Sequence, residues 1–240
     1  MRTPAPVVLA VGLLALGAPA FAYEAGPVTH GGIVSGSVKL DGPAPVAPVL
    51  KLTKNQSHCG ATVANPIYDA SPDGGLRNVE VFFKKVEKGK PLATDAVTLT
   101  NAGCMFHPRV FGATSGGKIT VNSSDPISHN THLQLFSDGT SLGNFALPFK
   151  GFSVDKTLPL KPGLVRVKCD IHEWMRAWIW VFDHPYFTTT DDAGRFSIAD
   201  VPPGEYVVVA WHEELGRTEL PVRITAEKTA TLEFHFAGKK

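Results

Sequence analysis

Three residues in the second half of the chain carry side chains that bind soft metal ions. Two residues separate Cys169 from His172, and two more separate His172 from Met175. A tight loop at the end of a strand can direct all three side chains to one point. Thiolate, imidazole and thioether form a soft ligand set, which selects copper over hard cations. The spacing therefore predicts a metal site and favours copper as its ion.

A second imidazole would complete this ligand set. A plane of two histidines and one cysteine with a long axial methionine is the geometry of electron-transfer copper sites. The candidates lie in the stretch Ser128-His129-Asn130-Thr131-His132. His129 and His132 are an odd number of positions apart, so on a strand they point to opposite faces. Only one of them should reach the metal, and the alternation alone leaves open which.

The order and spacing of these motifs resemble the cupredoxins, and amicyanin-like members most of all. The matching stretches are His129-Asn130-Thr131-His132 and Cys169-Asp170-Ile171-His172-Glu173-Trp174-Met175-Arg176, within a region of roughly residues 95–182. The resemblance implies one copper ion, cycling between Cu(I) and Cu(II), held by His129, Cys169, His172 and Met175. It also implies that Asn130 connects the two ligand loops by hydrogen bonds, and that His172 lies near the surface and passes electrons.

The ligand loop departs from the amicyanin-like pattern at two positions. Glu173 and Trp174 stand where those sequences have Pro-Phe. A carboxylate beside His172 could shift the reduction potential, or bind the metal and displace Met175. The axial ligand is therefore open between Met175 and Glu173.

Several functions remain compatible with this ligand set. The leading one is one-electron transfer without enzymatic turnover, and the resemblance implies a partner such as a c-type cytochrome or a periplasmic dehydrogenase. Alternatives are a copper-binding or carrier module outside any redox chain, and an enzyme with an open, Glu173-ligated copper. A plainer interpretation takes Cys169 as an inert buried thiol and Met175 as core filler. Six other histidines are interpreted as loop or structural residues: His58, His107, His132, His184, His212 and His235.

The cysteine count and the first residues together predict an exported protein with a disulfide. Arg2, an apolar run and Ala20-Phe21-Ala22 are typical of an export signal cleaved near Ala22, and no later stretch is long and apolar enough to span a membrane. The chain is then expected in a periplasm or outside the cell. Of three cysteines, Cys169 is assigned to the metal, which leaves Cys59 and Cys104 to pair. The run from Gly103 to Pro108 offers Cys104, Met105 and His107 as a second soft metal site, but the disulfide is preferred.

The pattern of the whole chain predicts an all-β protein built from two β-sandwiches. Short alternating segments are separated by turns, with 23 Gly and 19 Pro, and no amphipathic helix is evident. The first sandwich is expected to be a cupredoxin Greek key. The formal net charge of +1 gives no electrostatic case for binding nucleic acid or an anionic membrane.

The last part of the chain resembles the carboxypeptidase regulatory-like domain, a transthyretin-like β-sandwich. The stretches that carry this resemblance are 188–196 and 201–206, and they indicate fold rather than function. The predicted division is a signal peptide at 1–22, N-terminal strands and a loop at 23–94, the cupredoxin domain at 95–183 and the regulatory-like sandwich at 184–240. Strands at 36–40 and 79–82 match the first strands of such a sandwich, which predicts that the copper domain is inserted into it. The plainer alternative is a contiguous C-terminal sandwich.

Overall fold

The computed structural model describes residues 23–238, whose regular secondary structure is almost entirely β-strand, as the sequence predicts. The expected signal segment at 1–22 lies outside the described residues. The strands are β1 (Glu24–Ala25), β2 (Gly32–Asp41), β3 (Leu50–Lys51), β4 (Thr62–Val63), β5 (Glu80–Phe83), β6 (Lys88–Gly89), β7 (Val97–Ala102), β8 (Met105–His107), β9 (Val110–Thr114), β10 (Lys118–Ser123), β11 (His129–Leu135), β12 (Ser141–Leu147), β13 (Ser153–Thr157), β14 (Gly163–Lys168), β15 (Arg176–Phe182), β16 (Phe187–Thr189), β17 (Arg195–Val201), β18 (Gly204–His212), β19 (Gly216–Ile224) and β20 (Thr229–Ala237). Helical structure in this range comprises α1 (Gln56–Cys59) and one 3-10 turn (Pro66–Tyr68).

Strands β7 to β15 form the first sandwich, with one sheet in the order β12-β11-β14-β15-β9 and the other in the order β13-β10-β7-β8. The inward side chains of both sheets make one buried apolar cluster that includes Leu99, Val121, Val167 and Ile179. In β14 the buried residues Val165 and Val167 alternate with more exposed neighbours, which is the pattern of a strand with one face on a core.

Strand β15 is apolar on both faces because each face meets a different layer. Ala177, Ile179 and Val181 belong to the core of the first sandwich. On the opposite face the Trp180 ring centroid lies 5.7 Å from that of Trp211 in β18 and 5.0 Å from that of Phe82 in β5. The outer face of β15 is thus the interface with the second sandwich, which explains the continuous apolar run in the sequence.

The second sandwich takes strands from both sides of the first one in the sequence. One of its sheets has the order β16-β5-β18-β19, and the other has the order β17-β2-β20. Val38 and Val81, from the early strands, share a buried cluster with Phe196, Ile198 and Val208. These contacts agree with the packing predicted from the alternation, and they support the proposal that the segment near 95–183 is an insertion in the sandwich.

The turn that ends at Gly194, just before β17, is hydrogen-bonded to the early strand β2 of this second sandwich. The backbone N–H of Val38 donates to the carbonyl of Gly194, 2.8 Å away, and the N–H of Leu76 donates to the carbonyl of Val38 at 2.9 Å. Gly194 has a φ of +72°, and a Cβ there would lie 2.6 Å from the carbonyl oxygen of Val38. Only glycine combines this backbone conformation with so close an approach.

The predicted disulfide is confirmed: Cys59 is bonded to Cys104, with 5.7 Å between the two Cα atoms. It connects the segment between β3 and β4 to the turn between β7 and β8. No helix among residues 23–238 is long and apolar enough to cross a bilayer.

A buried carboxyl group, Glu80, lies where the two sandwiches meet. A Cβ on Gly112 of β9 would come within 2.4 Å of Glu80 Oε1, and Glu80 is fully buried. Thr189 Oγ1 donates a hydrogen bond of 2.7 Å to Glu80 Oε2, while Oε1 has no partner in the described part of the chain. Burial raises the pKa of Glu80 from 4.5 to about 8.

This raised pKa predicts a pH-dependent stability that Glu80→Gln should remove. The unfolded chain releases the Glu80 proton near pH 4.5 and the folded chain only near 8. The stability that protonated Glu80 contributes is therefore fully present below the unfolded pKa and is lost as pH rises through the folded pKa. Between the two pKa values, the free energy of unfolding falls by at most about 1.4 kcal/mol per pH unit. Urea unfolding between about pH 5 and pH 8 should show wild type losing stability relative to Glu80→Gln. Parallel stability curves for the two proteins would contradict the assignment.

Candidate metal centre

Three of the four predicted ligands converge at one end of the first sandwich. Strand β11 runs antiparallel to β14, and β14 runs antiparallel to β15. The start of β11, the end of β14 and the start of β15 therefore lie at the same end of the sheet. His129 begins β11, while Cys169 and His172 follow β14 in the loop that leads to β15. A nitrogen or sulfur atom from each of these three residues lies within 4.8 Å of those of the other two.

The facing atoms are the two Nδ1 nitrogens and the thiol sulfur. His172 Nδ1 lies 3.0 Å from His129 Nδ1 and 3.7 Å from Cys169 Sγ. All three side chains are buried, with at most 1% of each residue exposed. Two imidazoles and one thiol that share a small buried volume could hold a metal ion that accepts nitrogen and sulfur ligands.

The outer nitrogen of each histidine has a hydrogen-bond acceptor. His129 Nε2 lies 2.9 Å from Asp125 Oδ2, and His172 Nε2 lies 2.9 Å from Asn55 Oδ1. Because these oxygens accept hydrogen bonds, they favour the tautomer with the proton on Nε2, in which each Nδ1 directs its lone pair into the cluster. Partners of this kind fix the tautomer and the ring orientation of metal-binding histidines.

Asn130 connects the two ligand segments, as the resemblance implied. Its Oδ1 accepts hydrogen bonds from the backbone N–H groups of Asp170, at 2.8 Å, and Ile171, at 3.2 Å. Its side-chain amide donates to Asn144 Oδ1 at 2.7 Å and to Asp170 Oδ2 at 3.1 Å. Its backbone N–H also points at Cys169 Sγ, 3.5 Å away. The start of β11 and the loop after β14 are thus held in one arrangement.

Met175 and Glu173, the two candidates for the axial position, lie in different environments. Met175 is fully buried and belongs to the same apolar cluster as Cys169, and its N–H donates to the carbonyl of His172 at 2.9 Å. Glu173 is exposed to solvent. The axial ligand stays a prediction, and these environments favour Met175.

The resemblance implied that His172 lies near the surface, but its side chain is not exposed in this structure. The side chain is completely buried, because residues from the segment between β3 and β4 cover its outer edge. The Trp174 ring packs against it, with 5.0 Å between centroids, and Trp174 Nε1 donates to the carbonyl of Cys104 at 3.0 Å. The covering segment is far away in the sequence, so the motif gave no sign of it.

His132 and the Cys104 region do not join the cluster. His132 Nδ1 lies 3.0 Å from Asp170 Oδ2, and its Nε2 lies 3.0 Å from Ser141 Oγ, on the other side of β11. The opposite orientation of His129 and His132 therefore agrees with the alternation of a strand. His58, Cys104 and Asp125 also lie close together, but the sulfur of Cys104 is engaged in the disulfide.

The electrostatics of the cluster keep both imidazoles neutral at neutral pH. Burial and the neighbouring His129 lower the pKa of His172 from 6.5 to about 4. Burial also lowers the pKa of His129, although the Asp125 carboxylate acts in the opposite direction. Burial alone would raise the pKa of Asp125, but the backbone N–H groups of Cys104 and Gly103 donate to it and hold that pKa below its usual value. Neutral imidazoles are the form that binds metals.

Sequence reasoning did not identify two residues beside the cluster, Asn55 and Asp125, and it marked Trp174 only as a departure from the amicyanin-like pattern. Asp125 is close to His129 in the sequence, and a carboxylate beside a candidate ligand is a usable signal. Trp174 lies inside the ligand motif but gave no indication of its contact with Cys104. Asn55 has no local signal, since 117 positions separate it from His172.

The model of the carboxypeptidase regulatory-like domain matches residues 176–237. This match begins in β15, which the structure assigns to the first sandwich. Comparison with curated proteins returns no match.

Among solved structures, part of the chain is similar to copper proteins. A reduced Cu(I) form of an amicyanin variant shares 18% identity with a TM-score of 0.33, covering 38% of this chain and 86% of amicyanin. A purple cupredoxin from Nitrosopumilus maritimus shares 18% identity with a TM-score of 0.32, covering 37% of this chain and 100% of the cupredoxin. A copper-containing nitrite reductase from Thermus scotoductus SA-01 shares 23% identity with a TM-score of 0.32, covering 42% of this chain and 25% of the reductase.

Proposed function

We propose that this protein binds one copper ion through His129, Cys169, His172 and Met175 and transfers single electrons. The observation that carries the proposal is the convergence of two imidazoles and one thiol at a buried end of the sandwich, with one ligand atom of each within 4.8 Å of the other two. This donor set is that of electron-transfer copper sites. When bound, copper would supply the Cu(I)/Cu(II) couple.

The residues of the chain fit this ion and favour a rigid site. Asp125 and Asn55 accept from the outer nitrogens and hold the two rings in place. The N–H of Asn130 is directed at the sulfur of Cys169, a contact that tunes the electron density of a thiolate ligand. A site whose ligands are held in advance needs little rearrangement when the charge of its centre changes.

Burial of the cluster argues against the open-site enzyme. Such an enzyme needs a position that substrate can reach, and the four proposed ligands are each at most 1% exposed. Glu173, the carboxylate that an open site would use, is exposed to solvent. A copper carrier remains the competing function, and reversible one-electron cycling of the bound ion distinguishes the two.

Export and partner choice belong to this proposal as well. A disulfide suits an oxidising compartment, and the residues at 1–22 have the pattern of an export signal. They support a periplasmic or secreted location, and we propose a periplasmic redox protein, such as a c-type cytochrome or a dehydrogenase, as the partner.

Copper titration of two histidine variants tests the proposal. The wild type should take up one Cu(II) with an intense thiolate-to-copper absorption band, which bleaches on reduction and returns on oxidation. His129→Ala should lose this band, since it removes a proposed ligand. His132→Ala should keep the band, because this side chain faces Asp170 and Ser141. A band retained in His129→Ala and lost in His132→Ala would overturn the ligand assignment.

A further inference from the structure

Residues 52–60, here called the strap, cross the end of the first sandwich where the metal cluster lies. They lie between β3 and β4, outside the predicted copper domain, and include α1. Leu52 is buried, whereas most other strap residues are exposed, so the strap is a single layer of chain with solvent on its outer side.

The strap contacts the first sandwich at three points that surround the two histidines. Asn55 Oδ1 accepts from His172 Nε2 at 2.9 Å. His58 Nε2 lies 3.4 Å from Asp125 Oδ1, and the other oxygen of that carboxylate lies 2.9 Å from His129 Nε2. Cys59 is bonded to Cys104, whose carbonyl accepts from the tryptophan that packs on His172. The strap therefore contacts His172 directly through Asn55, and it is connected to His129 through Asp125 and to His172 through Cys104 and Trp174.

We infer that the strap closes the metal centre and that Asn55 is a positioning residue for His172. The Asn55 oxygen holds the proton on Nε2, so that Nδ1 stays free for the metal and the ring cannot turn. The same contact occupies the edge of His172 through which a redox partner or a small ligand would otherwise reach the centre. The disulfide keeps the strap in place, since it lies four positions from Asn55. The positioning part rests on the proposed copper function, whereas the covering part does not.

The conformation of Asn55 allows a clean removal of its side chain. Its φ of 50° lies in the left-handed region, where Ala would be strained but Gly and Asp are tolerated. Asn55→Gly therefore deletes the side chain and keeps the backbone, and Asn55→Asp keeps an acceptor oxygen. Asn78→Gly is the matched control, because Asn78 has a φ of 60° and lies in the second sandwich, before β5.

Labelling with diethyl pyrocarbonate, read by peptide mass spectrometry, tests the covering on the metal-free full chain. His172 should react far more slowly than His30, whose side chain is 70% exposed. In Asn55→Gly, diethyl pyrocarbonate should modify His172 about five-fold faster than in the wild type, the factor expected for one lost hydrogen bond. Replacing both Cys59 and Cys104 by Ser should accelerate it at least as much, while Asn55→Asp and Asn78→Gly should match wild type. If His172 reacts as fast as His30, or if Asn55→Gly reacts no faster than Asn78→Gly, the covering is refuted.

Copper affinity, measured by competition with a chelator, tests the positioning. Asn55→Gly should bind copper about 10-fold more weakly, as found when partners of metal-binding histidines are removed. Asn55→Asp should recover the affinity, and Asn78→Gly should leave it unchanged. Equal affinities in Asn55→Gly and Asn78→Gly would refute the positioning. If labelling behaves as expected but no variant binds copper, the covering stands and the proposed function fails.

Discussion

Cys169→Ala should abolish the intense visible absorption of the copper-loaded protein while leaving the fold intact. The band requires a bond between copper and the thiolate, and Cys169 is the free cysteine among the described residues. Loss of this ligand should weaken copper binding by more than about 100-fold. Removing only a hydrogen-bond partner of a ligand already weakens metal binding by up to about 100-fold, and the ligand itself should matter more. An absorption spectrum at one equivalent of Cu(II) and a chelator competition measure the two effects.

The fold should survive this change because the removed group is small. Cys169 is 1% exposed and packs in a core whose other members stay in place. Removing one sulfur atom should cost about 1 kcal/mol of unfolding free energy, comparable to a small core deletion. Circular dichroism and thermal melting of the metal-free variant check this. A full visible band in Cys169→Ala would refute the proposed site.

Glu213→Ala should destabilise the metal-free protein by about 3–5 kcal/mol, because it leaves a charged Arg109 buried without its partner. The two side chains are 3% and 8% exposed, respectively. Glu213 accepts from Nε of Arg109, and its Oε2 also accepts from Nη2 of Arg109 and from Nε1 of Trp178, each at 2.9 Å. Arg109 and Trp178 belong to the first sandwich and Glu213 to the turn after β18, so this network crosses the interface.

Urea unfolding of Glu213→Ala and a matched surface variant provides the measurement. Glu219→Ala removes the partner of Lys84, and these two side chains are 29% and 55% exposed. An exposed pair of this kind contributes about 0–1 kcal/mol, so Glu219→Ala should change little. Combining Glu213→Ala with Arg109→Met should recover part of the loss, since the unpaired charge is then gone. Similar small effects for Glu213→Ala and Glu219→Ala would show that the buried pair contributes little.

The metal cluster was predictable where its geometry is local. Cys169, His172 and Met175 lie within one short loop, so their spacing alone limits how they can be arranged. The same holds for His129 and His132, because the alternation of a strand separates their faces by stereochemistry. The disulfide followed from the chemistry of the compartment and a count of three cysteines, and the structure contains it.

The packing of the second sandwich was predictable in part. The alternation at Val38 and Val81 indicated strands that need a partner, and the structure pairs β2 with β17 and β20 and β5 with β16 and β18. The apolar run of β15 indicated burial on both faces without identifying the second layer. Alternation shows that a face is buried, but not which surface covers it.

Only the tertiary structure decided what surrounds the cluster. His172 was expected near the surface, and it is fully buried because the strap covers it. Asn55 reaches His172 across 117 positions, and Arg109 reaches Glu213 across 104. The sequence by itself determined the donor atoms and their local order, since these depend on residue types a few positions apart. Contacts across such distances depend on how whole sheets pack, and no local pattern of residues encodes that packing.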